Sequence, residues 1–128
     1  MKALFLTYAS VVLLLTACNS NSESDPVEDF IPGTYIRSSQ HEYGSENDTV
    51  VISLQNKSAS EYKVERRWKY ERMLDGKAIE PEHKLTTTSA IYNKDSKLLQ
   101  ETETGDSYSF DAKEKSMFAG TTKYQKIK

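Results

Sequence analysis

The chain has 128 residues, with 17 basic side chains against 19 acidic ones and a formal net charge of −2. So even a balance excludes electrostatic capture of nucleic acid, which needs a basic face. The single cysteine excludes an internal disulfide, and the length suits one domain with its own core rather than two.

Met1-Lys2 places one positive charge ahead of ALFLTYASVVLLL, residues 3 to 15, which carries none. A helix that crosses a membrane needs about 20 apolar residues. This run is shorter and stops at small residues, the pattern of a secretory signal rather than a span. Leu15-Thr16-Ala17-Cys18 follows: a branched residue, two small residues and the cysteine. It resembles the lipobox of bacterial lipoproteins. The resemblance implies that Leu15, Thr16 and Ala17 are read by the signal peptidase and that the signal, residues 1–17, is cut before Cys18. The Cys18 sulfur then takes a diacylglyceryl group, and its freed amino group is acylated, as with palmitate. One acyl chain, at about 0.8 kcal/mol per buried CH₂, holds a protein only marginally, whereas two or three anchor it stably. Asn19, where an aspartate would favour inner-membrane retention, implies the outer membrane of the bacterial envelope. Whether the domain faces the periplasm or the exterior stays open.

Asn19 to Glu28, NSNSESDPVE, is serine-rich and acidic without apolar periodicity. It reads as a flexible tether. The expected organisation is a signal peptide over 1–17, the lipidated cysteine and tether over 18–29, and one domain over 30–128.

The domain reads as all β. Its clearest segment is Tyr62 to Leu74, YKVERRWKYERML. Five of the seven alternate residues from Tyr62 are apolar or aromatic, and five of the six between them are charged. That is a period of two, and a helix would mix the two faces. Thirteen residues at about 3.3 Å each span roughly 40 Å, so this strand must coil, as strands wrapping a barrel do. Val50, Ile52 and Leu54 alternate in the same way, as do Leu85, Thr87, Ser89 and Ile91, and Tyr108 with Phe110. Turn signals separate these runs at 44–47, 56–58, Asp75-Gly76, 93–95, Gly105-Asp106, 111–113 and Gly120. They predict strands near 33–43, 48–55, 60–74, 83–92, 97–104, 107–111, 115–119 and 121–127, with 75–82 as a loop around Pro81. Short connections force antiparallel neighbours, giving an up-and-down meander of about eight strands. Closure into a barrel removes its edges and is preferred to an open, strongly curled sheet.

Gly33-Thr34-Tyr35 at the first strand resembles the Gly-x-Trp opening of lipocalin-like barrels, with tyrosine for tryptophan. Gly120 followed by Tyr124-Gln125-Lys126-Ile127 is similar to the last strand of small lipocalin-like lipoproteins of unassigned function. The resemblance implies a closed lipocalin-like barrel from Gly33 to Ile127 and leaves the activity open.

If Tyr35 points inward, alternation carries Arg37, Ser39, His41 and Tyr43 with it. On the long strand Arg66 and Arg72 share the face of Trp68 and Tyr70. Tyr35, Arg37, Arg66, Trp68, Tyr70 and Arg72 are therefore the candidate ligand-binding residues, guanidinium groups for an acid and rings for its body. The competing reading is that the lumen is filled by its own side chains. Glu80-Pro81-Glu82-His83 matches no standard ligand spacing, so no metal and no cofactor are expected. No nucleophile–base pair stands out, so no enzyme is expected. The expected function is an envelope-anchored accessory lipoprotein, monomeric, held to the membrane by Cys18 and docking on an envelope or extracellular protein. The alternative is a lipocalin-like carrier of a small hydrophobic or anionic ligand in the lumen. Cys18→Ser should leave an uncleaved precursor that takes up no labelled palmitate, read by gel mobility and metabolic labelling, and normal processing of this variant would refute the lipobox reading.

Overall fold

The computed structural model describes residues 25–128. The expected signal peptide, with Leu15, Thr16, Ala17 and Cys18, and the expected tether up to Ser24 lie outside the described residues. A short helix, α1 (Pro26–Phe30), precedes nine strands: β1 (Gly33–His41), β2 (Gly44–Asn56), β3 (Glu61–Leu74), β4 (Lys77–Ala78), β5 (Glu82–Asn93), β6 (Leu98–Glu101), β7 (Ser107–Asp111), β8 (Ser116–Ala119) and β9 (Thr122–Lys126). Eight of them form a closed antiparallel meander, a lipocalin-like barrel, because β2 pairs with both β1 and β3 while β1 also pairs with β9. The two-residue β4 folds back on the end of β3 across the Asp75-Gly76 turn, where both residues have positive φ as such a hairpin requires.

Closure depends on Gly33. Its φ is +153°, and a Cβ there would lie 2.3 Å from the Lys128 carbonyl oxygen. The main chain of the last residues passes against it, with Thr34 donating to Lys128 and Ile127 donating to Thr34. The glycine of the Gly-x-Tyr opening is thus a requirement of the seam.

Several expected boundaries move: the loop expected over 75–82 contains β4, because the Asp75-Gly76 turn returns the chain onto β3, and the strand expected over 97–104 ends at Glu101, where Gly105 donates back to the Glu101 carbonyl in a turn. The turn expected at 44–47 lies at Glu42-Tyr43, and Gly44 is the first residue of β2. A Cβ on Gly44 would sit 2.3 Å from the Glu71 carbonyl, so this glycine serves close approach of β3 rather than a turn. Tyr43 consequently leaves the inward face and stands 67% exposed. The expected tether, 18–29, also ends early. Asp25 caps α1 by accepting from the Val27 amide at 2.9 Å, with Pro26 in the first turn, so Asp-Pro here starts a helix instead of continuing a linker.

α1 plugs one end of the barrel. Ile31 is fully buried, and the Phe30 ring meets Tyr35 and Phe110 edge-on at 6.0 and 6.3 Å. Tyr35, Tyr62, Val64, Ile52, Leu99 and Met117 fill the lumen above it, none more than 2% exposed. Burial of each large apolar side chain is worth about 1.5–3 kcal/mol. Two of the tyrosine hydroxyls find partners in or beside α1. Tyr35 donates to the carbonyls of Phe30 and Ile31, and Tyr92 donates to Asp25.

Asp25 also accepts from Lys97 at 2.7 Å, and chiefly this bond lowers its pKa from 3.8 to about 2. The folded value lies below the unfolded one, so the stabilisation is complete above about pH 4 and is lost as pH falls through about 2. Lys97 is half exposed, and solvent screening reduces the gain to about 1–2 kcal/mol. Asp25→Asn keeps the capping oxygen but not the charge. Urea unfolding at pH 5, 4, 3 and 2 should show that the variant lacks this acid-dependent loss.

Candidate functional site

The strands differ greatly in length. β2, β3 and β5 have 13, 14 and 12 residues, whereas β6 to β9 have 4 or 5. All reach the plugged end, so the long strands outrun the short ones at the other end. The surplus of β1, β2, β3 and β5 stands as a one-sided wall over an open mouth.

The floor of the mouth is built around Asp48, which is fully buried. It lies on the face of Val50 and Ile52, one step beyond the core. The Arg66 guanidinium meets both its oxygens, with Nε at 3.0 Å from each and Nη2 on Oδ2. Tyr124 donates to Oδ2 at 2.7 Å. A buried carboxylate is costly unless paired and hydrogen-bonded, and here both conditions are met. The fork with Asp48 raises the pKa of Arg66 above its already high value. Burial, with the bond to Asp48, pushes the Tyr124 hydroxyl up to about 12. Beside this group Tyr108 donates to buried Glu101 at 2.5 Å, and Thr104 donates to the same carboxylate at 2.6 Å. Burial likewise raises the pKa of Tyr108. Both hydroxyls therefore stay protonated at neutral pH and act as donors.

The wall continues the same face in register. Arg37, Asp48, Trp68 and Lys84 form one row across β1, β2, β3 and β5, and Ser39, Glu46, Tyr70 and Glu82 form the next. Trp68 and Tyr70 stack with ring centres 5.8 Å apart and planes 4° from parallel, and His41 stacks on Tyr70 at 6.2 Å. Gly44 lies between His41 and Arg72 in the register and leaves room for these side chains. Trp68 Nε1 donates to Glu46 at 2.6 Å, Arg37 pairs with Glu46 at 3.7 Å, and the Arg72 guanidinium lies 6.0 Å from the Tyr70 ring centre. A cavity of about 300 Å³ lies between Arg66, Trp68, Lys84 and Thr86.

Of the six candidates, Arg37, Arg66, Trp68, Tyr70 and Arg72 come together on this face. Tyr35 does not: it is in the core at the plugged end, with its hydroxyl committed to α1. Asp48, Tyr124, Glu101, Lys84 and His41 complete the site. Asp48 was legible by parity, since it alternates with Val50 and Ile52, and an aspartate on a core face needs a cation. Glu101 alternates with Leu99 in the same way. Among the described residues no group of three or more His, Cys, Asp or Glu side chains comes together to hold a metal.

No family model matches the chain, and no curated protein or solved structure matches it. The fold and the mouth define the class: a filled eight-stranded barrel with one plugged end and one walled, open end.

Arg66→Leu leaves the Asp48 carboxylate buried with Tyr124 alone. It should cost about 3 kcal/mol, the low end for breaking a buried pair because Arg66 is half exposed. The double variant Asp48→Leu/Arg66→Leu should recover most of this loss, both read from urea unfolding midpoints.

Proposed function

We propose that the protein is an envelope-anchored lipoprotein, lipidated at Cys18 and held at the outer membrane, that works as a protein-interaction module. One observation carries this reading: the lumen is filled by its own side chains, while the Trp68–Tyr70–His41 stack stands on an uncovered sheet face above it. Tryptophan, tyrosine and arginine are the residue types that dominate binding energy at protein interfaces. The position of Asp25 supports the same reading. The chain enters the domain at Asp25, at the plugged end, so a tether from Cys18 attaches opposite the mouth and leaves the mouth free for a partner.

The second reading, a lipocalin-like module for a small anion, is favoured by the cavity at Arg66, Trp68, Lys84 and Thr86. It would bind at the mouth rather than deep in the lumen, which the buried core side chains occupy.

A photo-crosslinking residue at position 70, with position 63 on the outer face as control, separates the two. The interaction reading expects a discrete product with a second protein from position 70 only, and Trp68→Ala should weaken capture at least tenfold, about 1.4 kcal/mol or more. A small added mass in the native mass spectrum, lost in Lys84→Ala, without protein cross-links would establish the small-anion reading instead.

A further inference from the structure

We infer that the free edge of β5, from His83 to Thr87, receives an extended, basic segment of a partner protein as an additional strand. This deepens the interaction reading above and rests on it.

The barrel seam opens beside this edge. β5 pairs with β3 from Glu82 to Ile91, but with β6 only from Ala90 onward. Below Ala90 the second side of β5 has no strand neighbour among the described residues. Parity shows which groups face that side. Tyr92 donates its amide to Ser60 beside β3, whereas Ser89 accepts from Thr102 beyond β6. Even-numbered residues of β5 therefore turn their main-chain groups to β3, and His83, Leu85 and Thr87 turn both N–H and C=O to the open side. A row of such groups is a template for another strand. Proteins blunt exposed edges with charge, proline or bulges; here the one lysine of the edge, Lys84, lines the mouth cavity with Arg66 and Trp68, and the Leu85-Thr86-Thr87-Thr88 stretch beyond it carries none of these and consists of one leucine and three β-branched residues. The edge of β1 beyond Ile36, also without a strand neighbour on that side among the described residues, carries Arg37 and His41 along its length.

A cleft of about 500 Å³ runs along the β5 edge, with Thr86, Thr87 and Thr88 on one wall and Glu101, Glu103 and Asp106 on the other. Glu101 is already held by Tyr108 and Thr104, and Arg66 by Asp48. Glu103 and Asp106 have no ion-pair partner among the described residues. The cleft thus offers main-chain pairing on one wall and two unpaired carboxylates on the other. An incoming strand with lysine or arginine at alternate positions satisfies both. Thr88 Oγ1, buried and without a hydrogen-bond partner, lies on the same cleft.

The test uses the full-length protein in detergent and ten-residue peptides of alternating valine or threonine with lysine, glutamate or glutamine between. The lysine peptide should bind at least tenfold more tightly than the glutamate peptide and slow amide exchange at Leu85 and Thr87. Glu103→Gln/Asp106→Asn, at two exposed positions, should remove that preference. Leu85→Pro, which deletes a donor not used by the fold, should abolish binding, with the thermal melt checking that the barrel persists. Equal binding of lysine and glutamate peptides, or no protection at Leu85 and Thr87, overturns the inference. Protection that appears without peptide and rises with protein concentration also overturns it, because a second copy would then cover the edge. If the edge fails while position 70 still captures a protein, this inference falls alone; if both fail, the interaction reading falls with it.

Discussion

The Asp48 carboxylate, removed from water at the top of the core, must be both neutralised and fully hydrogen-bonded, and only a closed barrel completes the hydrogen bonding. Arg66 comes from the neighbouring strand β3, but Tyr124 comes from β9, across the seam that joins the last strand to the first. A sheet that failed to close would leave Asp48 with half its partners. The same cluster marks the boundary between two environments. Below it the inward face is apolar or tyrosyl and filled. Above it the same face, in the same register, becomes charged and aromatic and open. A polar network fully satisfied in this way specifies a unique arrangement as well as stabilising it.

The second organising feature is unequal strand length. Short strands β6 to β9 are enough to close the barrel around the core, and the surplus of β1, β2, β3 and β5 has no opposite side to pack against. A sheet with one face uncovered normally buries it by curling or by association. Here the uncovered face keeps itself ordered by ring stacking and by the Trp68–Glu46–Arg37 bonds. The mismatch that makes the wall also frees the β5 edge, since β6 is too short to cover it. The two proposed binding features thus share one structural cause.

Local patterns carried much of this into the sequence. The period of two in Tyr62–Leu74 runs from the core, at Tyr62 and Val64, up into the wall, because a strand's faces follow from the geometry of the extended chain alone. Asp75-Gly76 turned where its dihedral preferences dictate. Where expectation and structure differ, a residue has two physical uses. Gly44 is as good a turn former as it is a residue for close strand approach, and only the Glu71 carbonyl beside it decides between them. Asp25-Pro26 serves a linker or a helix start equally well until Tyr92 and Lys97 supply the contacts that hold it. Tyr35 carries the apolar and polar parts that suit either a ligand or a plug.

By itself, then, the chain's alternation and turn chemistry determined strands, their order and which side chains share a face, all of which are short-range consequences of backbone geometry. The lengths over which strands actually pair, the choice of lumen filling over lumen vacancy, the meeting of Asp48 with Tyr124 and the uncovered edge of β5 were decided by tertiary structure. Each depends on which distant segment lies alongside, and packing and desolvation act only once the chain has closed on itself.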